Sequence, residues 1–524
     1  MSGVASRLGA VQAAIDDRVS PIVLKELRQS VRSRSVIAVL LLLLTGLVLL
    51  TGMYAIFEAG AIGTNESGLE LFGILNTIVL LVCALFVPLY GAIRTAQERT
   101  GIAADLLHTT TIGPAAMIWG KVAVAMLISV LLLSVAAPFM ALTYLFRGID
   151  LPTIAFFLVA DLLIVLAVVQ VGVFLGALPV GSVSKVLAAL VLVPILFGLL
   201  LQGGGSLLFM FGFGVRSVTQ IDADGWIGIA AVAGVGLGII GLLFTLAVGV
   251  TAPRSANRSL LPRVYTTAFV LVTLAGVLFL IFEYDSPEPL VVWGVVWTLV
   301  LSAAIALSAS ERRALGPRIR RGIPGRAILR VLPFLYTSGA ASGLCWSVLL
   351  AAFVLVVGFG GGYLAVEAWG APGDLDQAFA SVGLVPVYAL GYTLWGITIR
   401  DGLLKRWVGE SSTAPIGLAL AGVASAVPFF IAFGLEPSRF DQRRWFLVSN
   451  PFGIAMSGGS SVGSSLFVYC LIGASVLVCI GLALNARWLL RQIRGFAPPA
   501  TRPPDPLTTA PQTDRPTAPA VIDA

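Results

Sequence analysis

Long apolar runs separated by short polar stretches organise this chain. The first, from Val36 to Ile56, holds no charged residue, and about 20 mostly apolar residues suffice for a helix to cross the hydrocarbon core of a membrane. Runs of this kind predict spans near 36–56, 72–93, 117–144, 153–178, 183–202, 226–250, 264–283, 290–309, 335–358, 382–400, 414–434 and 466–486. A barrel strand would alternate apolar and polar positions, which these runs do not, so the spans are helical. Ahead of the first span, Ser20-Pro21 reads as a cap and first helical turn. Val23, Leu27 and Val31 then share one face, with Leu24 beside them, and Lys25, Arg28 and Arg32 lie opposite. That is the pattern of an interfacial helix, apolar side in the acyl boundary and basic side toward headgroups, or of a basic anchor for the first span.

The expected fold class is an all-α polytopic membrane protein of about twelve transmembrane helices in two sets of six. The expected divisions are a cytoplasmic N-terminus at 1–35, a first membrane domain at 36–252, a second at 253–494 and a tail at 495–524. Within each set the external loop between the fifth and sixth spans is long, near 203–225 and 435–465, which suggests a parallel repeat. Gln97-Glu98-Arg99 after the second span also echoes Ser310-Glu311-Arg312 after the eighth. The tail has eight prolines and almost no large apolar residue, a composition that cannot bury a core.

Composition agrees with the pattern. Hydrophobic residues make up 58% of the 524 and charged residues 11%, against about 25% charged in soluble proteins. The net charge of +7 would suggest nucleic acid in a soluble chain, but its distribution gives another reason for it. With the N-terminus inside, cytoplasmic segments hold 28 Lys and Arg, and external loops hold only Arg147, Arg216, Arg439, Arg443 and Arg444. This follows the positive-inside rule, places both termini in the cytoplasm and leaves no call for a nucleic-acid partner. Arg28, Arg32 and Arg34 before a full-length span argue for a retained N-terminus rather than a cleaved leader. Cys83, Cys345, Cys470 and Cys479 all sit in apolar runs without a CxxC pair, so they read as buried hydrophobes rather than metal ligands.

Catalytic chemistry is sparse. The one histidine is His108. Gly120-Lys121 is the nearest fragment of a phosphate loop, but Ala115 and Val122 stand where the first glycine and the magnesium-binding hydroxyl belong. The chain is therefore not expected to be an enzyme or to hold a cofactor or metal. Asp161 is the one acid inside a span, a candidate intramembrane polar site for a proton or substrate, or a group satisfied by a neighbouring helix. The glycine runs at 234–238 and 358–362 read as helix-packing positions.

The segment from Arg94 to Lys121 carries the most specific signal. Glu98 and Asp105 are seven apart and project from one side of a short helix, with Ile102, Leu106 and Leu107 forming an apolar patch beside them. This loop resembles that of the type-2 ABC transporter permeases, the membrane subunits of many ABC exporters, whose pattern is approximately E-R-x-x-G-T-L-E-L-L-x-T-x-P-L-S-P-x-x-I-x-x-G-K. Glu98, Arg99, Asp105, Leu106, Leu107, Thr109, Pro114, Met117, Gly120 and Lys121 stand in register with it. Gly101 comes one place early, Ala103 replaces a threonine and Thr111 replaces the first proline. The Pro21–Arg34 segment resembles the amphipathic elbow helix that opens these permeases. The second half lacks the acidic-Leu-Leu-x-Thr element between Glu311 and Arg330.

The resemblance implies a permease subunit in a bacterial cytoplasmic membrane, an exporter energised by a separate cytoplasmic ABC ATPase that holds ATP and Mg²⁺. Glu98, Arg99, Asp105, Leu106, Leu107 and Lys121 would form the coupling helix on which that ATPase docks, and Lys25, Arg28 and Arg32 the interfacial helix. Membrane lipids are the other expected partners, and a homodimer is left open. Two alternatives from other classes are a twelve-span secondary carrier, which needs no ATPase, and a non-transporting membrane scaffold.

Overall fold

The computed structural model describes residues 21–57, 67–98, 113–146, 149–178, 217–253, 255–286, 288–326, 328–364, 374–435, 444–457 and 464–498. The expected span 183–202, the loop 99–112, residues 1–20 and most of the tail lie outside the described residues. We label the principal helices α1 (Pro21–Val31), α2 (Arg34–Phe57), α3 (Ser67–Glu98), α4 (Pro114–Thr143), α5 (Leu151–Ala177), α6 (Ala223–Thr251), α7 (Leu260–Tyr284), α8 (Glu288–Ser308), α9 (Ala340–Val354), α10 (Val385–Gly402), α11 (Thr413–Leu435) and α12 (Ser465–Arg494). Among the described residues there is no strand, and 11 helices are long and apolar enough to cross a membrane. The chain is an all-α, multi-pass membrane protein.

α3, α4 and α5 form the centre of the first set. Gly172 and Gly176 of α5 let its backbone lie against α3: a Cβ at either would fall 2.5 Å from the carbonyl oxygen of Pro88 or Ala92. Small residues permit such approach where lipid supplies no hydrophobic drive between helices. α2 and α6 lie outside, with Leu42, Leu49, Val232 and Leu237 exposed. In water such apolar surface would aggregate, but on a multi-pass bundle it is the surface for lipid.

α5 and α6 run parallel. Ser217 Oγ donates to Asp150 Oδ2 at 2.7 Å, Val218 N donates to Thr153 Oγ1 at 2.9 Å, and Phe156 meets Trp226 edge to face. α5 is 27 residues long, about 40 Å, so Leu178 and Ser217 stand at opposite ends of the bundle. In the second set α10 and α12 are also parallel, since Tyr388 O–H donates to Cys470 O at 3.0 Å and Asn485 Nδ2 donates to Leu394 O at 3.0 Å. α11 carries the chain back between them.

The two sets pack alike. α3 packs on α4 and α5, α4 on α5, and α5 and α4 on α6; correspondingly α8 packs on α9 and α10, α9 on α10, and α10 and α9 on α12. α6 and α7 form the main seam between the sets. There Tyr265 and Phe269 fill the space that side chains at Gly241 and Gly238 would occupy, and Tyr265 O–H donates to Gly238 O at 3.0 Å. Of the 234–238 glycines only Gly238 has this role; nothing lies within 4 Å of a Cβ at Gly234 or Gly236. Gly358 does pack as expected, its backbone lying on Gly294 of α8.

Two expectations are corrected. The ninth span begins at Ala340 rather than 335, because side chains take the backbone donors just before it: Asn257 Oδ1 accepts from Ser338 N at 2.9 Å and Glu311 Oε2 from Gly339 N at 2.8 Å. Residues 331–336 form a separate short helix. The loop expected outside the membrane at 435–465 folds back into the bundle over its described part, 444–457. Phe446, Leu447 and Ile454 are buried there, and the hydroxyl of Tyr388 donates to Val448 O. Irregular backbone at this depth is stable only where protein groups satisfy it.

Candidate functional site

The end of the first set from which the 99–112 loop departs is built around an internal ion pair. Lys121, in the second turn of α4, is 4% exposed, and its Nζ lies 3.2 Å from Glu26 Oε1 of α1. Ser30 Oγ donates to Glu26 O at 2.7 Å, and Tyr90 O–H of α3 donates to Ser30 Oγ at 2.9 Å. Arg94 Nε donates to Tyr90 Oη at 3.3 Å, and its guanidinium lies over the Tyr90 ring at 5.5 Å. Helices α1, α3 and α4 are thereby joined through polar groups, and Gly172 and Gly176 hold α5 against the last turns of α3.

The expected site residues divide. Glu98 is the last residue of α3 and only its backbone is described; Arg99, Asp105, Leu106 and Leu107 lie outside the described residues. Lys121 turns inward to Glu26 and presents no charge at the surface. Lys25 lies within α1; Arg28 in its last turn and Arg32 just past its end are exposed as the amphipathic pattern predicts. On the apolar side of α1, Val23 and Leu27 pack against the first core, and α1 lies on α4. The Glu26–Lys121 pair and Ser30 fix which way the helix faces. Glu26, Ser30, Tyr90 and Arg94 were not foreseen; Glu26 as the lone acid of a basic helix was the available signal.

Asp161 is 2% exposed in the middle of α5, within hydrogen-bonding contact of Asn76 on α3. Among the described residues, Asp161 Oδ2 and Asn76 Oδ1 are buried without a donor. Among the described residues no group of His, Cys, Asp or Glu could hold a metal ion.

The corresponding end of the second set is locked more tightly. Arg263 of α7 is 3% exposed; its Nη2 lies 2.6 Å from Glu311 Oε1 and Oε2, and its Nη1 donates to Leu335 O at 2.8 Å and Thr337 O at 2.7 Å. Glu311, the echo of Glu98, is thus bound within its own set. In comparison with known proteins the chain matches no family model, no curated protein and no solved structure.

Proposed function

We propose that the chain is the membrane-spanning permease subunit of an ABC exporter, energised by a separate cytoplasmic ATPase that docks on the 94–121 loop. The motif from Glu98 to Lys121 carries this reading, and the joint at its base supports it. A docking loop can couple ATP binding to the spans only if its displacement is mechanically shared, and the last turns of α3 are tied to α1, α4 and α5. The like packing of the two sets supports a parallel repeat of six, in which the chain recrosses the bilayer between Leu178 and Ser217 as α11 does in the second set. The tally of basic residues favours a cytoplasmic location for both termini and for the docking loop.

Pull-down of the detergent-solubilised chain from its native membrane is expected to recover an ATPase with a phosphate-binding loop. Glu98→Arg with Asp105→Arg is expected to leave insertion intact and weaken ATPase binding by about fivefold or more, since reversing two docking charges removes about 1 to 3 kcal/mol. Unchanged binding removes the docking role. Buried Asp161 favours a second reading, a gradient-driven carrier. Asp161→Asn separates the two: it spares ATP-driven transport and abolishes proton-coupled transport in proteoliposomes.

A further inference from the structure

At the end of the second set that carries most of its basic residues, a cavity of about 380 Å³ opens between the 311–320 segment and the last turns of α12. Among the described residues Arg313, Arg320, Trp488, Arg491 and Gln492 line it, and none of its walls is acidic. Arg313 is fixed in place: Nη1 lies 2.6 Å from Asp401 Oδ2, and the guanidinium stacks over Trp488 at 4.7 Å. Its Nε and Nη2, together with Trp488 Nε1, are shut off from solvent and donate no hydrogen bond among the described residues. Arg320 and Arg491 are exposed at the mouth. Arg491 Nε donates only within its own helix, to Arg487 O at 3.1 Å.

Two exposed arginines at the mouth of a basic cavity, with a third guanidinium fixed in its wall, match the oxygens of a phosphate group. The outer face of α12 says what else the ligand carries. Ile480, Leu484, Arg487 and Arg491 recur at i, i+4, i+7 and i+11 and form one stripe; Ile480 is 45% and Leu484 55% exposed. An apolar, lipid-facing strip therefore leads directly to the basic mouth. Trp407, Lys405 and Arg406, all exposed just beyond the end of α10, mark the headgroup level at this end of the bundle.

We propose that this cavity is a binding site for the phosphate headgroup of an anionic phospholipid, whose acyl chains lie along the Ile480–Leu484 strip. Basic pockets between spans suit such headgroups. The site is independent of the transport reading, since it uses neither the docking loop nor Asp161.

The test uses the full-length chain in detergent micelles, with the thermal unfolding midpoint read against added phosphatidylglycerol, phosphatidylcholine of the same acyl composition, or inorganic phosphate. Phosphatidylglycerol is expected to raise the midpoint and phosphatidylcholine to leave it unchanged. Arg320→Gln with Arg491→Gln is expected to weaken the phosphatidylglycerol response roughly thirtyfold in concentration, about fivefold per arginine. Its lipid-free midpoint should not move, because neither side chain ties one helix to another. The double Lys variant at the same positions should keep most of the response. Equal responses to the two lipids, or an unaltered response in the Gln variant, overturn the site. Inorganic phosphate stabilising the wild type as strongly as the lipid overturns its lipid occupant. Should the Gln pair not fold, Arg491→Gln alone carries the test with a fivefold loss.

Discussion

Lys121 is a buried charged side chain paired with a residue 95 positions earlier in the chain. Breaking a buried pair by removing one member leaves the other charge uncompensated, which is costlier than removing both. Lys121→Met is therefore expected to lower stability by about 2 kcal/mol, read as a fall in the unfolding midpoint, and adding Glu26→Gln to recover part of it. A surface-docking lysine would give no such recovery. Nothing local in the sequence links these residues. The charge pattern of α1 was legible, and so was the lysine at the start of the third span, but their pairing is a product of tertiary packing. The same holds for Arg263, which reads as one more basic residue at a span end and is in fact buried, with Gly343 leaving space for it: a Cβ there would sit 2.7 Å from its Nη2.

The helices themselves were the legible part. Hydropathy alone located each described span, because a lipid-crossing helix must be apolar along its length whatever it packs against. Which face turns inward was not legible for the same reason. On α2, Leu43 and Leu47 are buried while Leu42 and Leu49 are 70% and 60% exposed, and one residue type on both faces leaves no periodicity to read. Close helix contacts are set instead by glycine, and only some glycines. Gly172→Leu is expected to separate α3 from α5 and give aggregated protein on size-exclusion chromatography. Gly46→Ala, with nothing within 4 Å of its Cβ, should elute as the wild type does. The backward fold of 444–457 escaped the hydropathy reading because that segment is too short and irregular to resemble a span.

Over the whole molecule, the described helices alternate in direction with one interval of chain, between Leu178 and Ser217, whose ends lie on opposite sides. A topology with both termini on one side makes a direct forecast. In a background lacking the native cysteines, Ser286→Cys between α7 and α8 should react with an impermeant thiol reagent from outside intact cells. Lys405→Cys, beyond the end of α10, should react only after the membrane is permeabilised. Reversed labelling refutes the orientation inferred from the basic residues. The site was the least legible at this scale: the docking motif could be read, but the joint that connects it to the bundle is spread over residues 26 to 176, and no single stretch of sequence shows it.

The lock around Arg263 also has a timetable. Its guanidinium is covered only when Glu311, then Leu335 and Thr337, and finally the leading turn of α9 have all arrived. During synthesis α7 and α8 must wait, with a charged group still wet, until about eighty further residues have left the ribosome. A chain cut just short of Leu335 would carry α1 to α8 with the joint at Arg263 unfinished.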